Sequence, residues 1–121
     1  MALLTLKFVT DVRDQDYEVV EFHGELDQSN LEAAERQITD LLNGYKRHYL
    51  LFDLSDLAFI NSEGVGFIAS THTKLVKKNQ KLLIYSAKPN VTEVFKLIGL
   101  SKLLPVFATA AEAITYIKKT K

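Results

Sequence analysis

Strand-like and helix-like runs of hydrophobic residues alternate along the whole chain. Apolar side chains occupy every second position in residues 4–8, and apolar residues again predominate in residues 17–22, with the polar turn 14–16 between the two runs. This pattern is typical of a β-hairpin. Residues 49–54 and 82–85 are short, largely apolar runs without alternation. They are typical of central strands that helices cover on both faces.

Between and after these strands, the hydrophobic period changes to that of an α-helix. Four helices are predicted, and their inward faces consist of Leu31, Ala34, Ile38, Leu41 and Leu42; of Val65, Ile68, Ala69, His72, Leu75 and Val76; of Val91, Val94, Phe95 and Ile98; and of Ala113, Ile114 and Ile117. The start and stop signals are capping boxes at Ser29/Glu32 and Thr109/Glu112, a proline at Pro89, and glycines at Gly44 and Gly99. The second helix is expected to begin near Gly64.

The order of these elements is β-β-α-β-α-β-α-β-α, with a short last strand at residues 105–107. This order predicts an α/β fold with a mixed, mostly parallel sheet of four to five strands and about four helices. The chain has 121 residues, of which 47% are hydrophobic, and this is enough for one compact core. Residues 1–121 are therefore interpreted as a single domain.

The charge balance and the residue types restrict the possible functions. Fifteen basic residues balance fifteen acidic ones, so no net field draws the chain to nucleic acid or to an anionic membrane. There is no cysteine, which excludes a disulfide scaffold and a thiolate zinc site, and the three histidines lack the short spacing of a metal site. No apolar run is long enough to predict a membrane span. We therefore expect a cytoplasmic protein without cofactor, metal, nucleic-acid partner or membrane association.

A polar cluster follows the apolar run that ends at Leu54. Ser55, Asp56, Asn61, Ser62 and Glu63 are expected to collect in a loop at the carboxyl end of a central strand, where α/β proteins place functional residues. Ser62 precedes the second helix, whose free amides and positive dipole end favour an anion. A phosphate on Ser62 would add about −1.5 to −2 charge that this helix end partly stabilises. Judged by local sequence alone, the favoured alternative is that Asn61 and Ser62 only cap the helix.

Catalytic and nucleotide-binding motifs are incomplete in this region. A serine nucleophile elbow has glycine two residues before and two residues after the serine, but only Gly64 fits and Ile60 occupies the other position. No histidine is marked as the activating base. The segment Gly64-Val65-Gly66 lacks the later glycine of the dinucleotide fingerprint, and no phosphate-binding P-loop is present. A serine hydrolase is thus the least favoured hypothesis, and a protein that is not an enzyme is expected.

Three segments form a pattern that spans almost the whole chain. They are GELD at residues 24–27, FDLSDLAFINSEGVGF at residues 52–67 and VFKLIGLSKLLPVFATAAEAI at residues 94–114. Together they resemble the STAS domain, the family of bacterial anti-sigma factor antagonists. In that family the tetrad before the second helix usually reads Asp-Ser-Ser-Gly or Asp-Ser-Thr-Gly. Its first serine, which corresponds to Ser62, is phosphorylated by an anti-sigma factor that is itself a kinase.

The resemblance implies a regulatory protein that switches partners. In the family, the unphosphorylated antagonist binds the kinase and frees a sigma factor, and phosphorylation releases the antagonist. The second helix is expected to belong to the docking surface. The resemblance and the loop positions give these expected partner-binding residues: Glu25, Asp27, Ser55, Asp56, Asn61, Ser62, Glu63 and Gly64. The alternative within the same fold is a constitutive STAS adaptor subunit of a lipid-transport ATPase or of a signalling scaffold.

This chain departs from the usual tetrad at two positions. Asn61 replaces the aspartate and Glu63 replaces the second hydroxyl residue. The tetrad therefore keeps one carboxylate, but this carboxylate follows Ser62, whereas in the family it precedes the serine.

Overall fold

The computed structural model describes residues 3–9 and 16–120, and in these two ranges the chain forms five strands and four α-helices. The strands are β1 (Leu4–Val9), β2 (Tyr17–Leu26), β3 (Tyr49–Ile60), β4 (Lys81–Tyr85) and β5 (Val106–Phe107). The helices are α1 (Leu31–Leu42), α2 (Ser62–Val76), α3 (Pro89–Ile98) and α4 (Ala110–Lys119), and a short 3-10 turn (Leu100–Lys102) follows α3. The predicted order of elements is confirmed, whereas residues 14 and 15 of the predicted hairpin turn lie outside the described residues.

The described strands form one sheet in the order β1-β2-β3-β4-β5. Strands β1 and β2 are the two arms of the predicted antiparallel hairpin, with Leu6 opposite Phe22. The pairs β2–β3, β3–β4 and β4–β5 are parallel. The sheet is therefore mixed and mostly parallel, as predicted.

Two apolar layers cover opposite faces of this sheet. Helices α1, α2 and α3 contribute Ile38, Ile68 and Phe95 to the larger layer, which includes Phe52 of β3. Helix α4 packs on the other face, where Ile117 and Leu51 belong to the smaller layer. Neighbouring residues of β3 thus point into different apolar layers, which explains why the first half of this strand is apolar without alternation.

Strand β3 is longer than the sequence predicted. It continues past Leu54 to Ile60, so the prediction of a loop directly after Leu54 is wrong. Two β-bulges place extra residues in β3 opposite β2, one within residues 53–56 and one within residues 57–59. They replace alternation by burial at every third residue, namely Leu54, Leu57 and Ile60. A pattern with this period does not resemble a strand in the sequence.

Three side-chain predictions at helix ends are also wrong. Ser29 does not cap α1, because its hydroxyl donates to Asp27 Oδ1 at 2.6 Å and Asn30 occupies the N-cap position. Val76 and Ile98 were expected to face inward, but each is 49% exposed. Both residues lie in the last turn of their helices, where the apolar stripe leaves the core.

Other predicted helix boundaries are confirmed. Thr109 and Glu112 form the reciprocal capping box of α4, with Glu112 N donating to Thr109 Oγ1 at 3.1 Å. Gly99 ends α3 in the left-handed conformation, with φ of 86°. Helix α2 begins at Ser62, two residues before the predicted start.

Candidate functional site

The carboxyl ends of β2 and β3 bring two polar segments together. Leu26 and Ile60 are register partners at the ends of these parallel strands, and Asn61 N donates to Leu26 O at 3.3 Å. The Asn61 side chain extends the connection, because its Nδ2 donates to Gln28 Oε1 at 2.8 Å. The segment 24–28 and the start of α2 therefore form one continuous edge of the molecule.

Asn61 is the residue that caps α2. Its backbone is extended, and its side-chain Oδ1 accepts a hydrogen bond from Gly64 N at 2.9 Å. This bond satisfies one of the amides that a helix leaves free at its start. The same carboxamide also donates to Gln28, which a carboxylate could not do. Asn61 thus occupies the N-cap position, and Ser62 is the first residue inside the helix.

Ser62 is the first residue of α2, and it is exposed to solvent. The positive end of the helix dipole and the first-turn amides lie beside it. A negative group on the Ser62 oxygen would gain about 0.3–1 kcal/mol from this helix end. The exposed carboxylate of Glu63 follows directly and opposes such a charge. The position is accessible to another protein and can carry a charge without unfolding the helix.

Gly64 holds the start of α2 against the sheet. It is buried, and a Cβ atom built on it would lie 2.7 Å from Ile60 Cγ1 and 3.1 Å from Leu26 Cγ. A side chain at this position would push α2 away from the two strands. Gly64 thus packs inside and sets the position of Ser62, and its predicted contact with a partner stays a prediction.

A tight turn between β2 and α1 fixes the backbone next to this edge. Asp27 Oδ1 accepts hydrogen bonds from Ser29 N at 2.8 Å and from Ser29 Oγ at 2.6 Å, and these bonds lower the pKa of the Asp27 carboxyl. Asn30 Nδ2 donates to Glu25 O at 2.8 Å. The turn therefore presents the exposed carboxylate of Glu25 from a constrained backbone.

Ser55 and Asp56 do not lie in the Ser62 loop. They belong to β3, and Asp56 precedes Asn61 by five residues, which is about 16 Å of extended strand. Asp56 Oδ2 contacts His23 Nδ1 at 3.1 Å, and the Ser55 hydroxyl donates to Asp53 Oδ1 at 2.7 Å. The prediction that all five polar residues collect in one loop is wrong, because the strand separates these two from the others.

An apolar groove beside Ser62 was not predicted from the sequence. It is a cavity of ≈ 260 Å³ between α2 and the segment that follows α3. Ser62, Gly66 and Ala69 line its α2 side, and Ile98 and Leu103 line the opposite side. The helical spacing of Ile98 indicated an inward residue, so its role in this wall was missed. The available signal was the spacing of the three small α2 residues, which places them on one helix face.

The histidines do not provide a base for Ser62. His23 lies between carboxylates, with Nε2 at 3.0 Å from Glu21 Oε1. His48 directly precedes β3, at the opposite end of that strand from Ser62. His72 lies ten residues farther along α2, or about 15 Å. The arrangement gives no support to a serine nucleophile.

Residues 3–9 and 16–120 contain no group of three or more metal-ligating His, Cys, Asp or Glu side chains. No helix in these ranges combines the length and the apolar character that crossing a bilayer requires.

Comparisons with known proteins agree with this architecture. The anti-sigma F factor antagonist of Paenibacillus polymyxa is 22% identical over 100 residues, which cover 83% of this chain and 86% of that protein. An anti-sigma factor antagonist from Mycobacterium paratuberculosis superposes with a TM-score of 0.80 at 25% identity, covering 98% of this chain and 95% of the other. The Bacillus cell fate determinant SpoIIAA in its phosphorylated form has a TM-score of 0.67 at 22% identity, with 95% and 99% covered. This last likeness concerns the fold alone.

A family model, described as STAS domain, matches residues 8–113. The match runs from the first strand into the last helix and includes the Ser62 edge and the groove beside it. The chain therefore belongs to the STAS domain family.

Proposed function

We propose that this chain is an anti-sigma factor antagonist that binds an anti-sigma factor with serine kinase activity and is released when Ser62 is phosphorylated. The observation that carries the proposal is the exposed Ser62 at the first position of α2, next to a cap that Asn61 supplies independently. The similar proteins from Paenibacillus and Mycobacterium are named as antagonists, which supports the same role here.

The switch follows from the cost of removing charge from water. A partner that covers Ser62 takes a neutral hydroxyl out of solvent, which costs little when the partner supplies a hydrogen bond. A phosphoserine at the same place carries about −1.5 to −2 charge, and its burial costs far more unless cations meet it. A difference of only about 1.4 kcal/mol weakens binding tenfold. Phosphorylation is therefore expected to change affinity while the fold persists.

The proposal assigns different tasks to the other residues of this edge. Glu25, Asp27 and Glu63 carry carboxylates on the two segments that form this edge, so they contribute to partner choice and to the rate of encounter. Asn61 joins the two segments through Gln28 and keeps Ser62 in register. Ser55 and Asp56 are exposed residues of β3, and they belong to the partner surface only if the contact extends along the second half of that strand.

A kinase assay tests this proposal directly. The chain is incubated with its cognate anti-sigma factor and ATP, and the modified residue is located by mass spectrometry. We expect phosphate on Ser62 in the wild type and none in Ser62→Ala. Ser70→Ala is the matched control, because Ser70 is also an exposed serine of α2, and this variant should be modified like the wild type. Phosphate on another residue, or none while binding persists, would remove Ser62 as the switch.

The constitutive adaptor with the same fold is the competing function. The names of the similar proteins favour the antagonist over this alternative. An adaptor would bind its partner equally well with Ser62→Ala and Ser62→Asp. The antagonist is expected to bind as Ser62→Ala and to lose affinity as Ser62→Asp.

A further inference from the structure

We propose that the groove between α2 and α3, lined by Ser62, Gly66 and Ala69 on one side and by Ile98 and Leu103 on the other, receives an apolar side chain of the anti-sigma factor. This inference rests on the proposed function and adds an apolar anchor to the contact around Ser62. The groove, rather than the Ser62 loop alone, then supplies the affinity that phosphorylation opposes.

Neither backbone conformation nor internal packing requires a glycine at position 66. Gly66 lies within α2, where glycine weakens a helix relative to alanine. Among the described residues, a Cβ atom built on Gly66 meets nothing within 4 Å apart from its chain neighbours and the backbone of its own helix. Gly64 in the same helix differs, because its Cβ would lie 2.7 Å from Ile60 Cγ1. Gly64 is required by internal packing, whereas Gly66 keeps the groove open.

The wall opposite Gly66 exposes large apolar side chains to water. Ile98 is 49% exposed and Leu103 is 50% exposed, and both line the groove. Removal of such surface from water is the main driving force of protein association. The groove is concave, and Gly66 leaves space in it because glycine has no side chain. Such a shape suits an inserted side chain better than it suits a flat partner surface. An aliphatic or aromatic side chain of the partner is therefore the occupant that the groove matches.

The position of the groove assigns it to the partner that reaches Ser62. Ala69 lies seven residues after Ser62 on the same helix, or about 10 Å along its axis. A standard protein interface buries about 800 Å² on each partner, which is a patch of about 16 Å radius. An interface centred on Ser62 therefore covers the whole groove. We therefore expect a kinase that engages Ser62 to cover this apolar surface as well.

The arrangement also explains how one phosphate releases the whole contact. Ser62 forms part of the groove wall, so a phosphoryl group there stands at the rim of the apolar contact. A partner side chain in the groove would then exclude water from a dianion, which opposes insertion. Phosphorylation of Ser62 and insertion of the partner side chain therefore oppose each other, because Ser62 lines the groove.

Two groove variants and one matched control test the inference by isothermal titration with the cognate anti-sigma factor. Gly66→Leu adds a side chain to the groove at a position where its Cβ atom meets no neighbour within 4 Å, and Leu103→Asp places a charge in the groove wall. We expect each variant to weaken binding by about tenfold or more. Leu97→Asp is the control, because Leu97 is 84% exposed on α3 and does not line the groove, so its affinity should stay within about twofold of the wild type. Circular dichroism confirms that each variant is folded.

The outcomes separate this inference from the proposed function. Wild-type affinity in both groove variants, together with weak binding of Ser62→Asp, would overturn the groove and leave the Ser62 switch intact. No binding of the wild type to the anti-sigma factor would overturn both. A groove variant that alters the monomer–dimer equilibrium in light scattering, with unchanged affinity for the anti-sigma factor, would assign the groove to a second copy of the chain and overturn the inference.

Discussion

Asn61 and Ser62 are adjacent residues with separate tasks at the start of α2. Asn61 Oδ1 accepts from Gly64 N at 2.9 Å and its Nδ2 donates to Gln28 Oε1 at 2.8 Å, so its side chain is used inside the molecule. Ser62 is exposed to solvent and lines the groove. The helix start can therefore change its charge at Ser62 without losing its cap.

We expect loss of the Asn61 cap to lower the stability of the fold, and a charged residue that still caps the helix to retain most of that stability. Asn61→Ala removes the acceptor for Gly64 N and should lower the free energy of unfolding by about 1 kcal/mol. Asn61→Asp keeps the acceptor for Gly64 N and adds a negative charge at the positive helix end, while it loses the exposed bond to Gln28, so it should be more stable than Asn61→Ala by about 1 kcal/mol. Urea unfolding measures both. Equal stability of the wild type and Asn61→Ala would show that the cap does not hold the helix start.

The sequence alone could not decide which of these residues caps the helix. Asparagine and serine are both strong N-caps, and the two alternatives differ by a single residue in the helix boundary. The resemblance to the STAS family indicated Ser62 as the phosphorylated residue, because Ser62 corresponds by position to the first serine of the family tetrad. The structure shows that Asn61 caps the helix and that Ser62 is exposed.

At the scale of elements, the approach of α2 to β2 and β3 determines where Ser62 lies. The close contact is made at Gly64, where a Cβ would lie 2.7 Å from Ile60 Cγ1. Ile60 and Leu26 are both buried, so neither can move into free space. The site is therefore built on a packed junction between a helix and two strands.

A pair of glycine variants tests this junction. Gly64→Ala should lower the free energy of unfolding by about 1–3 kcal/mol through overpacking. Gly66→Ala in the same helix meets no neighbour and should raise it by about 0.5–1 kcal/mol through helix propensity. Chemical denaturation of the two variants gives the comparison. Similar effects of the two substitutions would contradict the packing role of Gly64.

Hydrophobic periodicity predicted most elements but misplaced the end of β3. The helices and the hairpin keep a regular period, so their order was predicted correctly. In residues 53–59 two bulges break the alternation, and Ser55 and Asp56 therefore seemed to belong to a loop. Bulges depend on the pairing partner in the sheet, which a local pattern does not contain.

At the scale of the whole molecule, a buried histidine links stability to pH. His72 in α2 is 8% exposed, and its Nδ1 atom is buried without a hydrogen-bond partner in the part of the chain that the structure describes. Burial lowers the pKa of His72 below its usual value of 6.5, and the charge of Lys81 lowers it further. The folded state therefore keeps the imidazole neutral when the unfolded chain already binds a proton.

The sign of the effect follows from this difference in proton binding. Above pH 6.5 both states carry a neutral imidazole, and below it the unfolded state gains the proton first, so stability falls until the lower folded pKa is passed. Urea unfolding at about pH 7 and about pH 5 should show a larger loss for the wild type than for His72→Leu. Equal losses in the two proteins would exclude His72 as the cause.

The groove, the Ser62 edge and the Asn61 cap belong to one half of the molecule, at the carboxyl end of β3. The sequence predicted the polar residues at the start of α2 but not the groove, because Leu103 comes from the segment after α3 and has no periodic neighbours. Its place beside Ser62 depends on tertiary packing. The interaction surface is consequently a property of the folded chain rather than of one motif.

Added charge at Ser62 is expected to control partner binding. The most direct measurement is the dissociation constant of the cognate anti-sigma factor for the unmodified chain and for the chain phosphorylated on Ser62, determined by isothermal titration under the same conditions. We predict that phosphorylation weakens binding by about tenfold or more, while circular dichroism shows an unchanged fold. Equal dissociation constants for the two forms would contradict the account.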